Sequence, residues 1–380
     1  MSLTAQQIAE KVGLSTATVS RVLNNHQNVS PKARDAVLAV VRESGQMPRL
    51  LGRRSKQTDS KNKAGIFRIL NVVRFPIVPI PEDPFNSHHH ASSLPMSEYF
   101  SRENRFSSSF TRHVMNGVIG EARSIGFRTE VQVMQDIQTT EILNQISNTD
   151  TRGVFLMGIY RQDVTDFLQL CQCPVVSMMT WDHNGWPDYV GIDNHKGIRL
   201  GFEHLRELGH TRIGYVAGDL DNNMVFRDRL AAFKTMVVDA GLELRQDWIV
   251  SGSCEIDHMQ AGVEKVIAGE DRPTAMLCCY DGAAVAIQRA AYHLHLRIPD
   301  DVSVVGFDDS EIASLVSPPL TTIRTPSYLV GQQAVQLMVM RMRRPIQPGD
   351  GCSMRVTPEL ITRASTAPPK AALVTGNANP

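Results

Sequence analysis

Thr4-Ala5-Gln6-Gln7-Ile8-Ala9-Glu10-Lys11-Val12-Gly13-Leu14-Ser15-Thr16-Ala17-Thr18-Val19-Ser20-Arg21-Val22-Leu23-Asn24 reads as two short helices joined by a tight turn. Thr4 with Gln7 three places on makes a capping box, and Ile8, Ala9 and Val12 fall on one helical face. Gly13 stops the helix because glycine enters the left-handed backbone region cheaply. Ser15 caps a second helix running from Thr16 to about Asn24. Val19, Val22 and Leu23 make its buried stripe, and Thr16, Ala17, Ser20 and Arg21 stay on the outer face. Ser30-Pro31 opens a third helix by the cap-then-proline rule; Val37, Leu38, Val40 and Val41 supply its core, and Gly45 ends it. A helix-turn-helix of this kind sets the exposed start of its second helix in the DNA major groove. Thr16 and Ala17 are small enough for close approach, and Arg21 is long enough to reach guanine O6/N7 or a phosphate. The same spacing also fits a plain three-helix bundle.

Charge sharpens the choice. The 380 residues carry 39 Lys+Arg and 39 Asp+Glu, a net charge of zero. Residues 1–63 hold eleven Lys/Arg against four Asp/Glu, so this segment is +7 and the remainder −7. A basic tip on an acidic body suits a polyanion partner, or a solvated basic surface. With 42% hydrophobic and 21% charged residues, the chain has ordinary globular composition, which excludes wholesale disorder and a disulfide scaffold. No apolar run approaches the roughly 20 residues needed to span a bilayer. The N-terminus shows no basic region followed by an apolar run, so a cytoplasmic protein without a membrane partner is expected. The six cysteines form no CxxC pair or zinc spacing. Cys171-x-Cys173 and Cys278-Cys279 read as thiols packed in or beside a core rather than as redox groups.

From residue 65 onward, short β-branched runs alternate with helical patterns, the signature of a parallel-sheet α/β fold. Expected strands are 66–73, 128–133, 153–157, 175–179, 190–192, 212–217, 275–279, 303–307 and 321–324. Expected helices are 110–124, 163–170, 197–208, 227–240, 258–268, 282–293 and 327–341. His204 and His210 fall on or just after a helix end, where a cation would complement the helix dipole.

Gly13-Leu14-Ser15-Thr16-Ala17-Thr18-Val19-Ser20-Arg21-Val22-Leu23-Asn24, followed by Asn28-Val29-Ser30-Pro31, resembles the head of the LacI/GalR transcriptional regulators. The resemblance continues through Gly191-Ile192-Asp193-Asn194, Arg227-Asp228-Arg229-Leu230-Ala231-Ala232-Phe233, Val304-Val305-Gly306-Phe307-Asp308-Asp309 and Pro318-Pro319-Leu320-Thr321-Thr322-Ile323. It implies a small all-α helix-turn-helix head at 1–46, a hinge and linker at 47–64, and an α/β effector and dimerisation domain at 65–366. That body would be two periplasmic-binding-protein-like subdomains, each a doubly wound parallel sheet. Their bounds are about 65–192 with 326–346, and 193–323 with 352–366. Residues 367–380 are expected to be a flexible tail, without the heptads of a tetramerisation zipper. By the same resemblance Thr16, Ala17 and Arg21 match base-reading positions, and Ser15, Ser20, Asn24 and Asn28 match positions on the phosphate backbone.

The hinge departs from the family pattern. Where that family wedges a leucine into the minor groove, this chain has Ser55. Arg49, Arg53 and Arg54 add positive charge instead, and a register shift is the way for Leu50 or Leu51 to act as wedge. Residues 74–109 form an insertion that contains His88-His89-His90, read as a solvated loop rather than a metal site. For the effector site the resemblance implies Arg229 as a clamp on effector oxygens, Asp308 as acceptor, and Tyr280 and Asn223 as further lining residues. Tyr280 stands where members often have Asn, so the effector class ranges from a sugar to an aromatic, nucleoside-like or amino-sugar molecule.

No GxGxxG, P-loop, GxSxG or HExxH motif is present, so neither an enzyme nor a cofactor or metal is expected. The leading expectation is a repressor binding a near-palindromic operator in double-stranded DNA as a homodimer, modulated by a small-molecule effector. The alternatives are a regulator controlled by a protein partner without a small effector, and a solute-binding module or enzyme with an incidental basic head. Replacing Arg53 and Arg54 together with Ala should flatten the salt dependence of DNA binding, by about 0.9 in the log–log slope for each phosphate they neutralise. A titration of affinity against salt concentration checks this; an unchanged slope removes both side chains from the phosphate backbone.

Overall fold

A computed structural model describes residues 5–23, 29–44, 65–72, 107–134, 139–158, 167–168, 170–178, 188–221, 223–254, 256–343 and 351–370. The expected cap at Thr4, the positions Asn24 and Asn28, the hinge with Arg49, Leu51, Arg53 and Arg54, and most of the 74–109 insertion lie outside these residues.

The head has three helices: α1 (Ala5–Val12), α2 (Thr16–Leu23) and α3 (Pro31–Ser44). Gly13 turns at φ +67 between the first two, and the Leu14 amide donates to the Ala9 carbonyl across that turn. Ser15 Oγ accepts from the Thr18 amide at 3.0 Å and Ser30 Oγ from the Ala33 amide at 3.3 Å, so both expected serine caps are made. Ile8, Val19, Val22 and Val37 are buried to 1% exposure or less. A core this small leaves caps worth about 1 kcal/mol each a sizeable share of the stability.

The body follows as β1 (Ile66–Val72), α4 (Ser107–Ser124), β2 (Arg128–Met134), α5 (Thr139–Ser147), β3 (Thr151–Met157), β4 (Val175–Met178) and β5 (Asp188–Ile192). Then come α6 (Asn194–Glu207), β6 (Ile213–Gly218), α7 (Met224–Asp239), β7 (Ile249–Ser251), α8 (Ile256–Ile267), β8 (Ala275–Cys278) and α9 (Asp281–His293). The chain closes with β9 (Ser303–Asp308), α10 (Glu311–Leu315), β10 (Thr321–Arg324), α11 (Ser327–Arg343), β11 (Ser353–Val356) and β12 (Glu359–Ile361).

Two six-stranded sheets result, ordered β11-β5-β4-β3-β1-β2 and β12-β10-β9-β8-β6-β7. Strands β1 to β5 pair in parallel, as do β6 to β10, and β12 runs antiparallel to β10. Their sequences explain why. Val154-Phe155-Leu156-Met157 and Ala275-Met276-Leu277-Cys278 are buried throughout, the unbroken apolar run of strands covered on both faces.

Each sheet belongs to its own compact unit, the first taking Met115–Gly191 and Val330–Met354, the second Ile192–Leu329 and Arg355–Pro380. The expected start of the second subdomain's last segment at residue 352 is therefore corrected. β11 joins the first sheet, where the Cys352 carbonyl accepts from the Tyr189 amide.

Asp188 fixes this join. It is fully buried, takes both Arg341 Nε (2.5 Å) and Nη2 (2.7 Å) in a fork, and accepts the Cys352 amide at 2.7 Å. A buried carboxylate is tolerated only with such pairing.

The tail and the two histidines also need correction. His210 is 1% exposed; its Nε2 donates to the Ala367 carbonyl at 2.9 Å and its Nδ1 meets Thr274 Oγ1 at 2.8 Å. His204 Nε2 meets Thr366 Oγ1 at 3.0 Å. Burial holds both imidazoles below their ordinary pKa, so they are neutral posts for the chain end rather than cations on a helix dipole. Ala367 also bonds Ser303, and Lys370 pairs with Asp301 at 2.6 Å. Residues 367–370 are thus tied down.

Replacing Asp188 with Ala removes the fork that holds the Arg341 charge and should cost about 3–5 kcal/mol. Chemical denaturation of the two proteins checks this, and a loss below about 1 kcal/mol would refute the pairing as a structural requirement.

Candidate functional site

Two groups of residues carry candidate chemistry. The first is the outer face of α2. Thr16, Ala17 and Arg21 are exposed and Ser20 is half-buried, while Val19 and Val22 point into the head. Positions 16, 17, 20 and 21 share one helical face, as spacings of three and four require. Ser15 serves as N-cap, and its Oγ also meets the Thr18 hydroxyl at 2.8 Å. The cap leaves the first-turn amides at the end of α2 that carries Thr16 and Ala17, an end suited to meeting an anion.

The second group lies at the carboxyl ends of β6, β8 and β9, where ligands of open parallel sheets bind. Arg229 on α7 is only 3% exposed. Its Nε donates to Asn194 Oδ1 at 2.9 Å, its Nη1 to the Cys279 carbonyl, and its Nη2 to Asp308 Oδ1 at 3.3 Å. The guanidinium carbon sits 3.6 Å from the centre of the Phe307 ring, a cation–π contact away from water. Arg229 and Asp308 are therefore brought together as a side-chain pair.

Asp308 sits on a strained turn. It has φ 104 and Asp309 φ 51, both in the left-handed region without glycine. Each such residue costs about 1–3 kcal/mol unless its surroundings impose it. Here they do: Asp309 pairs with Arg324 at 2.7 Å and Arg363 at 2.6 Å. Ser310 gives its amide (2.6 Å) and hydroxyl (2.8 Å) to Asp281, which also accepts the Thr322 hydroxyl at 2.5 Å. Gly306 makes room for this, since a Cβ there would collide with Asp281 Oδ1.

Tyr280 and Asn223 are placed differently. Tyr280 is 8% exposed and donates its hydroxyl to the Cys254 carbonyl at 3.2 Å. Its ring stacks on Phe226 at 5.5 Å between centroids and 10° between planes. Asn223 is the N-cap of α7 and accepts the Phe226 amide through Oδ1 at 3.2 Å. Asn223, Phe226 and Tyr280 thus form one connected wall, in which the half-buried Phe226 is a member that residue-type reasoning missed. Asn194 and Asp281 were missed too; their partners lie 35 and up to 41 residues away, beyond any local signal.

Electrostatics follow the burial. Desolvation raises Asp308, opposed by Arg229. Desolvation, then the nearby Asp308, pushes Asp281 up to about 7. Among the described residues no cluster of three or more His, Cys, Asp or Glu side chains is placed to hold a metal ion. No helix among them is long and apolar enough to cross a membrane.

Residues 4–49 match the bacterial regulatory proteins of the lacI family, and residues 202–366 match the periplasmic binding protein-like domain. The chain belongs to the LacI/GalR family. The repressor is 27% identical over 342 residues to the ribose operon repressor of Haemophilus influenzae, covering 90% of this chain and 92% of that one. It is 27% identical over 366 residues to the HTH-type transcriptional repressor PurR of the same species, covering 95% and 98%. In fold it is similar to the transcriptional regulator CelR in complex with cellobiose (TM-score 0.65, 24% identity, 96% and 99% covered). It is likewise similar to the lac repressor dimer bound to operator and an anti-inducer (TM-score 0.64, 22% identity, 97% and 100% covered). The repressor is accordingly a DNA-binding transcriptional regulator with a helical head and two parallel-sheet α/β subdomains.

The raised Asp281 pKa has a signed consequence. Between about pH 4 and 7 the folded repressor binds a proton that the unfolded chain releases, so this group's stabilising contribution falls as pH rises through that window. The melting temperature of the parent protein minus that of Asp281→Asn should therefore decrease from pH 5 to pH 8. A difference that is flat or grows would show that Asp281 is ionised throughout.

Proposed function

We propose that the repressor binds a near-palindromic operator as a homodimer in the cytoplasm and that a small molecule, a sugar or sugar-like compound, adjusts its affinity. The reading starts from the head. Two copies related by a two-fold axis present two recognition helices, which fits inverted half-sites about one helical turn or a multiple apart. In each head Thr16, Ala17 and Arg21 read bases, while Ser15, Ser20, Asn24 and Asn28 meet the phosphate backbone. Arg49, Arg53 and Arg54 reach phosphate from the hinge, with Leu51 as a wedge candidate. The comparison proteins are consistent with this: one is a dimer bound to operator and one a cellobiose complex.

The observation that carries the effector part is the buried Arg229–Asp308 pair at the strand ends, 4% and 15% exposed in their side chains. A charge pair of this kind, backed by Phe307 and held on a strained turn, suits polar recognition of a ligand's hydroxyl or N–H groups. Phe226 and Tyr280 add an aromatic wall that suits the C–H face of a sugar ring. A ligand that binds one arrangement of the subdomains more tightly shifts the population toward it, and the coupling to DNA is reciprocal.

A thermal-shift screen of sugars, sugar acids and nucleosides should find a compound that raises the melting temperature of the full chain. With that compound, Arg229→Lys and Asp308→Asn should abolish the effector response while operator binding stays within about twofold of the parent. Arg21→Ala should weaken specific operator binding by about 1–3 kcal/mol. An effector response that survives both pocket substitutions sinks the pocket assignment, and full operator affinity without Arg21 removes it from base reading.

A further inference from the structure

The first sheet has an edge that the operator and effector roles leave unused. Strands β1, β3 and β4 run parallel, so the residues preceding Ile66, Thr151 and Val175 share one edge of the sheet. Backbone bonds fit this alignment: the Ile66 amide donates to the Asp150 carbonyl and the Val154 amide to the Pro174 carbonyl. The linker from the DNA-binding head enters the sheet at this edge, at Gly65. Cys171-Gln172-Cys173 sits there as well, two residues before β4.

Both thiols are free and partly exposed, unlike the buried Cys278 and Cys279. Their sulfurs are 3.5 Å apart, and Cys171 Sγ also lies 3.6 Å from the Cys173 carbonyl oxygen. Sulfurs this close can reach the roughly 2.05 Å of a disulfide by side-chain rotation together with adjustment of the Cys171–Cys173 backbone. The two thiols are also chemically unequal. The hydrogen bond from Cys173 favours the Cys171 thiolate and lowers its pKa. That bond, with burial, holds Cys173 as the protonated partner. An attacking thiolate beside a resolving thiol is the arrangement that redox-sensitive cysteines require.

We propose that Cys171 and Cys173 form a dithiol that hydroperoxides oxidise reversibly to an intramolecular disulfide, and that this closure alters operator affinity. The Cys171 thiolate attacks one peroxide oxygen, the O–O bond breaks, and the alkoxide or hydroxide leaving group takes a proton. The sulfenic acid so formed is attacked by the Cys173 sulfur. The S–O bond breaks, hydroxide leaves with the Cys173 proton as water, and the S–S bond closes. Two thiols lose two electrons, and the peroxide bond accepts them. A bridge across a single residue closes a small, strained ring, the kind that thiols reduce readily. The closure lies on the edge where β1 begins at Ile66, the strand into which the chain from the head leads. Cys171 and Cys173 do pack beside a core, as the spacing suggests, and the proposal adds a redox role to that packing.

The test uses the full-length reduced protein and hydrogen peroxide near stoichiometric amounts. Intact mass should fall by two hydrogens. Cys171 and Cys173 should resist alkylation until dithiothreitol is added. Operator Kd should change about fivefold or more on oxidation, and return on reduction. Cys173→Ser should stop at a dimedone-trappable sulfenic acid on Cys171. The double variant Cys171→Ser/Cys173→Ser should bind operator equally with and without peroxide. Continued alkylation of both thiols after peroxide, or a bridge mapped to other cysteines, overturns the site. A disulfide that forms but leaves Kd unchanged, or a peroxide response that persists in the double variant, overturns the regulatory step.

Discussion

A guanidinium kept out of water must find partners for its charge and for its donors, and Arg229 finds them on three elements. It reaches the start of α6 through Asn194, the end of β8 through the Cys279 carbonyl, and the end of β9 through Asp308. Its partners lie up to 79 residues away in sequence, so the side chain ties together parts of the subdomain that no local signal would join. Removing one partner leaves the charge buried and underpaired, a penalty of several kcal/mol. Asp308 is therefore held from two sides. Arg229 grips its carboxylate, while Asp281, Arg324 and Arg363 hold the left-handed turn on which it sits.

Parallel sheets give such sites a fixed address. All strands of a parallel set begin at one edge and end at the other, so loops following the strands gather in one place. In the second sheet the carboxyl edge collects Asp308, Tyr280 and the Cys279 carbonyl, with α7 supplying Arg229 and Phe226. In the first sheet the opposite edge holds Gly65, ahead of β1, and Cys171 and Cys173, ahead of β4. Polar function is placed at the edges because the faces are taken up by apolar packing, as the fully buried Val154–Met157 stretch illustrates.

The readability of these features in sequence follows the range of the interactions behind them. The head is legible almost residue by residue, because serine caps, Gly13 and the Val19/Val22 stripe all act within one or two turns. The nine expected strands recur with ends shifted by a residue or two, because β-branched runs mark strands well and their ends poorly. Short elements escape. β7, β11, β12, α5 and α10 lack a long periodic run, and β11 alternates exposed and half-buried residues at a sheet edge. Residue type and resemblance direct Asn223 and Tyr280 toward a ligand; the structure adds a local cap for Asn223 and, for Tyr280, a stacking partner 54 residues away. Asp188 carries no signal at all, since its partner Arg341 lies 153 residues on.

Two buried arginine–aspartate pairs in this chain show how similar chemistry is put to different use. Asp188 is 1% exposed in its side chain, commits both oxygens to the Arg341 fork and accepts a backbone amide as well. Nothing is left over for a ligand, and the pair serves as a rivet between β5, α11 and the approach to β11. Asp308 keeps 15% of its side chain exposed and, among the described residues, meets Arg229 through a single oxygen at 3.3 Å. A hydrogen bond of that length is far from saturated. A ligand hydroxyl or N–H arriving at Asp308 can be accommodated by tightening the pair rather than breaking it. Because Arg229 also holds Asn194 and the Cys279 carbonyl, any shift it makes is shared with α6 and β8.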